Sequence, residues 1–348
     1  MKKHVKLLLF IFSFTLFFFQ TIPVLAASPK LTCKELSLLP GETFTLRVQN
    51  TSKTVKWTSG KKKVATVNAY GEVTAVAPGK ATITAKVGKK KYKCVVTVQD
   101  TVDVIVFAGQ SNMTGVGDAS QALKLTPGAG YAYNYITNRE NFSVLKEPFG
   151  YKQDDGYFMN ADYCRGSMVT AFVNKYYEQT KTPVIAVPAS CVGSGSVSWK
   201  EFRYKGVIER LNAAIEVAEA KNLNVGHVYM VWMQGENDAF ADMKASTHKK
   251  NLTKMYSKIK KKTPVEQCMV ISIANYTRGK SMSKKFKRIQ KAQKDLCKSN
   301  KNFTMLTTKA TQLSDSYFQE DGIHIIQKGL NTIGRYAGKA AGKYANSH

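Results

Sequence analysis

Acidic side chains are scarce in this chain: Asp and Glu number 24 against 52 Lys and Arg in 348 residues, a formal charge of +28. A nucleic-acid partner would call for those cations on a basic helix with interleaved aromatics, and no such motif is present. The lysine clusters at 61–63, 89–91 and 260–262 are instead scattered over the chain. They read as a solvated basic surface, with long-range attraction to an anionic cell-wall polymer or acidic glycan as the functional reading. Cysteine occurs six times but never as Cys-x-x-Cys, which argues against a zinc site; no metal and no cofactor are expected. Beyond residue 27 no run is apolar enough to cross a bilayer, which takes ~20 residues, so no stable membrane span is expected. With 43% hydrophobic and 11% aromatic residues, the composition also excludes a disordered chain.

The longest apolar run lies at the amino terminus. Lys2, Lys3 and Lys6 precede the apolar stretch 7–19, and Val24-Leu25-Ala26-Ala27 supplies small residues with the spacing of a signal-peptidase site. The stretch is too short to span a bilayer, so residues 1–27 are expected to be a cleaved signal peptide. The mature chain is then secreted, with cell-surface association as a further option.

Residues 28–100 contain about seven short alternating segments, at 36–39, 44–48, 55–59, 64–67, 71–76, 81–87 and 93–98, divided by turn residues such as Pro40-Gly41. That spacing predicts a small all-β sandwich. Trp57-Thr58-Ser59, Val64-Ala65-Thr66-Val67, Gly71-Glu72-Val73-Thr74-Ala75-Val76-Ala77-Pro78-Gly79 and Ala81-Thr82-Ile83-Thr84 resemble the bacterial group 2 immunoglobulin-like domain. The resemblance implies a spacer or attachment module. Cys33 and Cys94 sit near its first and last strands; a disulfide in an exported protein and two small buried thiols are both compatible with that placement. Only Asp100-Thr101-Val102-Asp103 follows, too short and too poor in Gly, Ser and Pro for a flexible tether, so the two domains are expected to touch.

Residues 101–348 alternate between the two periods. Apolar, β-branched runs at 104–107, 184–187, 228–232, 269–273 and 303–306 predict buried strands, and amphipathic stretches at 168–179, 207–221, 245–262, 284–298 and 328–344 predict helices. Such β-α-β alternation predicts an α/β fold, a parallel sheet with helices on both faces.

Four polar or glycine-rich breaks fall at strand ends or in a late loop: Gly109-Gln110-Ser111-Asn112, the segment 189–196, Gln234-Gly235-Glu236-Asn237-Asp238, and Asp321-Gly322-Ile323-His324. Strand ends on one edge of a parallel sheet converge in space, so these breaks can share one crevice. A serine hydroxyl attacks only if a base takes its proton, a role for His324; a carboxylate must hold that base, a role for Asp321. An oxyanion needs preorganised donors, and the Ser111 and Gly193 backbone N–H groups and the Asn237 amide can supply them. Gly195 is the alternative to Gly193. Singly, each signal has a plainer reading: Asn237 can cap a helix, and Asp-x-x-His is commonly a surface pair.

Together, Ser111, Gly193, Asn237 and the Asp321/His324 pair resemble the SGNH hydrolase superfamily. Ala108-Gly109-Gln110-Ser111-Asn112-Met113 and Trp232-Met233-Gln234-Gly235-Glu236-Asn237-Asp238-Ala239 look like its sialate O-acetylesterase and carbohydrate esterase family 6 branch. The resemblance implies a three-layer α/β/α, flavodoxin-like domain and a serine esterase that removes O-acetyl groups from glycans through an acyl-enzyme. One feature departs from relatives: Gly193-Ser194-Gly195-Ser196 interrupts a pair of adjacent glycines. The α/β-hydrolase elbow is disfavoured, because Met113 replaces the second glycine of Gly-x-Ser-x-Gly.

Gln110, Gln234, Glu236 and Trp199 flank the catalytic candidates and are assigned to substrate binding, with loop support or core packing as the plainer reading. Tyr133, Tyr151 and Tyr157, in an aromatic-rich loop, are candidates for stacking on sugar. The competing function is a non-catalytic glycan- or cell-wall-binding adhesion protein built on the sandwich. A lipase is disfavoured, because no long apolar lid segment is present.

Overall fold

A computed structural model describes residues 27–160 and 163–348. The expected leader lies outside the described residues apart from Ala27.

The amino-terminal domain is built from β1 (Lys30–Leu31), β2 (Glu35–Leu38), β3 (Thr43–Thr45), β4 (Val48–Gln49), β5 (Val55–Ser59), β6 (Ala65–Val67), β7 (Glu72–Ala75), β8 (Gly79–Val87) and β9 (Lys90–Val98). One sheet runs β2-β9-β8-β5, the facing one β3-β7-β6, and β1 pairs with β4. Alternation is visible directly: Ala81, Ile83, Ala85 and Val87 of β8 are buried while their neighbours are not. Ala81 and Ile83 meet Leu36, Leu46, Val73 and Val96 in one core. The segment expected as a single strand over 44–48 is broken, because Leu46 turns inward, fully buried, and its N–H bonds the Gly71 carbonyl. Cys33 and Cys94 meet in this core, their thiols within hydrogen-bond reach, and all six cysteines are free.

The second domain begins with β10 (Thr101–Gly109), followed by α1 (Ser111–Thr114), β11 (Gly130–Tyr133), β12 (Phe142–Val144), α2 (Val169–Thr180), β13 (Val184–Ser190), α3 (Ser196–Ser198) and α4 (Tyr204–Ala220). Then come β14 (Asn224–Met233), α5 (Glu236–Phe240), α6 (Ala245–Lys260), β15 (Gln267–Ile271), α7 (Lys280–Ser299), β16 (Phe303–Thr307) and α8 (Gln327–Ala345). The sheet order is β12-β11-β13-β10-β14-β15-β16. Its five-strand core, β13-β10-β14-β15-β16, has the 2-1-3-4-5 order of flavodoxin-like sheets. All those neighbours pair in parallel. The edge strands β11 and β12 arise within the segment read from sequence as an aromatic loop, and β12 alone in this sheet is antiparallel.

β10 has eight consecutive buried residues, as a strand covered on both faces must. Val104 and Val106 join one hydrophobic core with α4 and α6; Ile105 and Phe107 join the other with α2 and α8. The domain is therefore three layers, α/β/α. The strand order reverses between β10 and β14, and the loops leaving those two strands carry Ser111 and Asn237.

The domains touch through specific contacts. Tyr131 donates a hydrogen bond to Glu42 Oε2 at 2.6 Å, Gln99 Nε2 donates to the Lys181 carbonyl at 2.9 Å, and Leu39 packs into the core of the second domain.

Candidate active site

β10 ends at Gly109, whose φ of +150° and close approach to the β14 end both require glycine: a Cβ there would lie 2.0 Å from the Met233 carbonyl oxygen. The chain then turns into α1, with Ser111 as its first residue. Ser111 Oγ lies 3.0 Å from His324 Nε2, and His324 Nδ1 lies 2.6 Å from Asp321 Oδ2. The other Asp321 oxygen accepts the backbone N–H groups of Ile323 and His324, each at 2.9 Å. Partial burial works against the Asp321 charge, but those two N–H groups and the His324 ring outweigh it and hold the carboxyl below the ordinary aspartate value. An ionised carboxylate is thus fixed on one nitrogen of the imidazole while the other faces the hydroxyl. In this arrangement imidazole can take a proton from a hydroxyl as it attacks a carbonyl.

Gly193 and Asn237 are tied to the same site through Gln110, the neighbour of Ser111. Gly193 is exposed, has φ +68°, and faces open space where its Cβ would stand. Asn237 Nδ2 donates to the Gly193 carbonyl at 2.6 Å, leaving its second N–H available. Gly195 faces inward instead: its Cβ would point at Asp238 Oδ1, 3.1 Å away. So the rim position belongs to Gly193.

The four residues assigned to substrate binding are placed differently from that expectation. Gln110, Gln234, Glu236 and Trp199 are all exposed by 1% or less. The Gln110, Gln234 and Glu236 side chains turn inward between the loops, and Trp199 turns into the hydrophobic core, where no sugar reaches. Gln110 Oε1 accepts the N–H groups of Gly235 and Asn237, and its Nε2 lies 3.4 Å from Asn237 Oδ1, which turns the Asn237 amide nitrogen toward Gly193. Gln234 Nε2 donates to the Ser194 carbonyl. Trp199 donates to Ser194 Oγ at 2.8 Å and packs edge-on against Trp232, supporting the 191–196 turn from below. Of the tyrosines proposed to stack on sugar, Tyr133 is buried and Tyr157 donates to Glu209. Tyr151 is exposed and lines a cleft of about 560 Å³ with Asn134, Asn138 and Lys152.

Two supporting elements were missed in the sequence. Asn112, fully buried, donates to Glu236 Oε1 (2.9 Å) and the Ile323 carbonyl (3.2 Å) and accepts the Ile325 N–H (3.0 Å), gripping the chain on both sides of His324. Asp238 accepts the Ser196 N–H at 2.8 Å and pairs with buried His248 at 2.6 Å, tying α5 to the 193–196 turn. Asn112 and Asp238 sit inside the two signature strings, but nothing local to those strings indicates what they bond.

Glu236 has one oxygen without a hydrogen-bond partner. Burial pushes its carboxyl up to about 7, against the pull of the Asn112 hydrogen bond. A carboxyl that holds its proton more tightly folded than unfolded gives stability that is complete below the ordinary glutamate range and is lost as pH rises through about 7. Glu236→Gln should therefore melt above the parent protein at about pH 8, by up to about 3 kcal/mol in stability, and match it near pH 4. Melting curves at both values check this; a variant less stable than the parent at the higher pH would show that the charged form is needed.

Among the described residues no group of three or more His, Cys, Asp or Glu side chains is placed to hold a metal, and no helix is long and apolar enough to cross a membrane.

Fold and site together define a three-layer α/β/α domain whose polar site lies at the topological switch point of the sheet. Residues 101–343 match the carbohydrate esterase, sialic acid-specific acetylesterase family, and the chain belongs to that family. Residues 27–98 match the bacterial Ig-like domain, group 2. No curated protein matches the sequence significantly. Among solved structures, the chain is similar to a protein of Arabidopsis thaliana, with 16% identity over 71% of this chain and 98% of that one, at a TM-score of 0.52. It is also similar to a carbohydrate acetylesterase from Xanthomonas citri, with 14% identity over 92% of this chain and 76% of that one, at a TM-score of 0.46.

Proposed function

We propose that this chain is a secreted serine esterase that removes O-acetyl groups from carbohydrate, of the sialate O-acetylesterase or acetylxylan esterase type, through an acyl-enzyme. The observation that carries the reading is the hydrogen-bonded line from Ser111 Oγ through His324 to Asp321. In the first step Ser111 Oγ attacks the acetyl carbonyl while His324 Nε2 takes its proton. The oxyanion is held by the backbone N–H groups of Ser111 and Gly193 and by the free N–H of the Asn237 amide. Collapse breaks the C–O bond to the sugar, and His324 returns the proton to the departing hydroxyl. Water, deprotonated by His324, then attacks the acetyl-serine, and acetate leaves as Ser111 recovers its proton. Secretion is supported by the basic, apolar and small-residue segments in residues 1–27.

Acetate release from an aryl acetate and from a panel of acetylated sialic acid, xylan and other glycans tests the reading. We expect release from the aryl acetate and from at least one glycan; faster turnover of long-chain acyl esters than of acetyl esters would point to a lipase instead. In the same assay Asn237→Ala should lower kcat roughly 100–1,000-fold. A change of a few-fold would leave Asn237 as a residue that merely braces the Gly193 turn.

A further inference from the structure

Lysines that are scattered in sequence are gathered by the fold. α6 carries five lysines and no acidic residue; α7 carries seven lysines, one arginine and one aspartate. The helices pack side by side on one face of the sheet and bury their apolar sides: Leu252, Met255, Tyr256 and Ile259 from α6, Phe286, Ile289 and Leu296 from α7. The outward sides carry Lys250, Lys254, Lys287, Lys291 and Lys294, all exposed, and Lys258, whose ammonium donates to the Lys200 carbonyl at 2.9 Å beside the Tyr204 ring; together they make a basic strip. Asp295 of α7 is bonded by Lys291 at 2.7 Å, and beyond that bond the charges of Lys249 from α6 and Lys298 also stabilise its carboxylate. Asp242, just ahead of α6, is paired with Arg288 and Lys285 of α7. The carboxylates here are thus already bracketed by cations, and the excess positive charge faces solvent.

The segment that leads into α7 reaches the candidate active site. The Thr277 N–H bonds the Gly322 carbonyl at 3.1 Å, and the Arg278 side chain packs against Gly322, between Asp321 and His324. Helices that follow parallel strands start at the carboxyl rim of the sheet, so α6 and α7 both run away from the cleft down the flank of the domain.

The composition of the strip narrows its partner. Twelve of its thirteen helical cations are lysines, point charges without the planar fork that arginine uses for bidentate recognition. The aromatics of the two helices, Tyr256 and Phe286, are buried, so α6 and α7 offer no platform on which bases could stack. The chain belongs to a family that acts on carbohydrate. We infer that the α6/α7 face is a docking surface for a linear anionic polysaccharide, held through its charge along the flank beside the candidate active site. The inference does not depend on the acyl-enzyme reading, since it concerns where the polymer is held.

The test is binding of the whole protein to polygalacturonate as salt is raised. Three proteins are compared: the parent; a variant with Lys250, Lys254, Lys258, Lys291 and Lys294 all changed to Gln; and a control with Lys56, Lys61, Lys62, Lys86 and Lys89 of the sandwich changed likewise. The α6/α7 variant should bind at least about 10-fold more weakly at low salt, with a shallower dependence of log affinity on log salt, as fewer counterions are released. The control should bind like the parent. Equal loss in both variants would mean that only net charge matters, and tighter binding to duplex DNA than to polygalacturonate would mean that the partner is not a polysaccharide; either result overturns the inference. None of the five flank lysines is in the catalytic constellation, so aryl acetate turnover should be unchanged in the variant. Absence of that turnover in the parent would sink the esterase reading without touching the binding result.

Discussion

Replacing Ser111 by alanine is expected to abolish acetate release from an aryl acetate while leaving the protein folded. Loss of a serine nucleophile costs up to about 10⁶-fold in turnover, because without its oxygen neither the base nor the oxyanion donors have a reaction to assist. The structural cost is small. The Ser111 hydroxyl makes a hydrogen bond with His324, worth about 1 kcal/mol of stability, and alanine occupies the same first position of α1 without strain. Turnover near that of the parent, measured on protein with a normal melting curve, would remove Ser111 from the chemistry and the acyl-enzyme with it.

The second large effect is expected from Asp321→Asn. The asparagine oxygen can still accept the N–H groups of Ile323 and His324, so the loop should keep its shape. The amide nitrogen, however, would face His324 Nδ1 as a donor, favouring the tautomer that leaves Nε2 protonated and useless as a base toward Ser111. Such a change costs about 10⁴-fold where the aspartate is buried. Here the Asp321 side chain is 43% exposed. Water screens part of the lost charge, so a fall of about 10³-fold in kcat is expected. The measurement is kcat and KM on an aryl acetate; a change confined to KM, with kcat untouched, would show that Asp321 does not act through His324.

Much of the architecture was legible because burial imposes short-range periodicity. The β10 run 104–107 could only be a strand covered on both sides, and the five expected strands and five expected helices each fall on an observed element. The edge strands β11 and β12 were not legible, since their aromatic content serves pairing and loop packing equally well. The errors about Gln110, Gln234, Glu236 and Trp199 share one cause. Polar and aromatic residues beside a reactive serine look alike whether they face the substrate or the interior, and only the crossing of three loops decides which.

Ser111 and His324 stand 213 residues apart along the chain, yet one hydrogen bond joins them. Residue type and order alone picked out candidate groups for acyl transfer and placed Ser111, Gly193 and Asn237 just after strands and the Asp321/His324 pair in a late loop, because both follow from local pattern. Tertiary structure decided what holds them: the Asn112 grip on the His324 loop, the Asp238–His248 pair behind the Gly193 turn, and the inward Gln110 amide. It also decided that lysines from two separate helices form one charged flank. Such convergences depend on how distant elements pack against a shared sheet, and no local pattern encodes that.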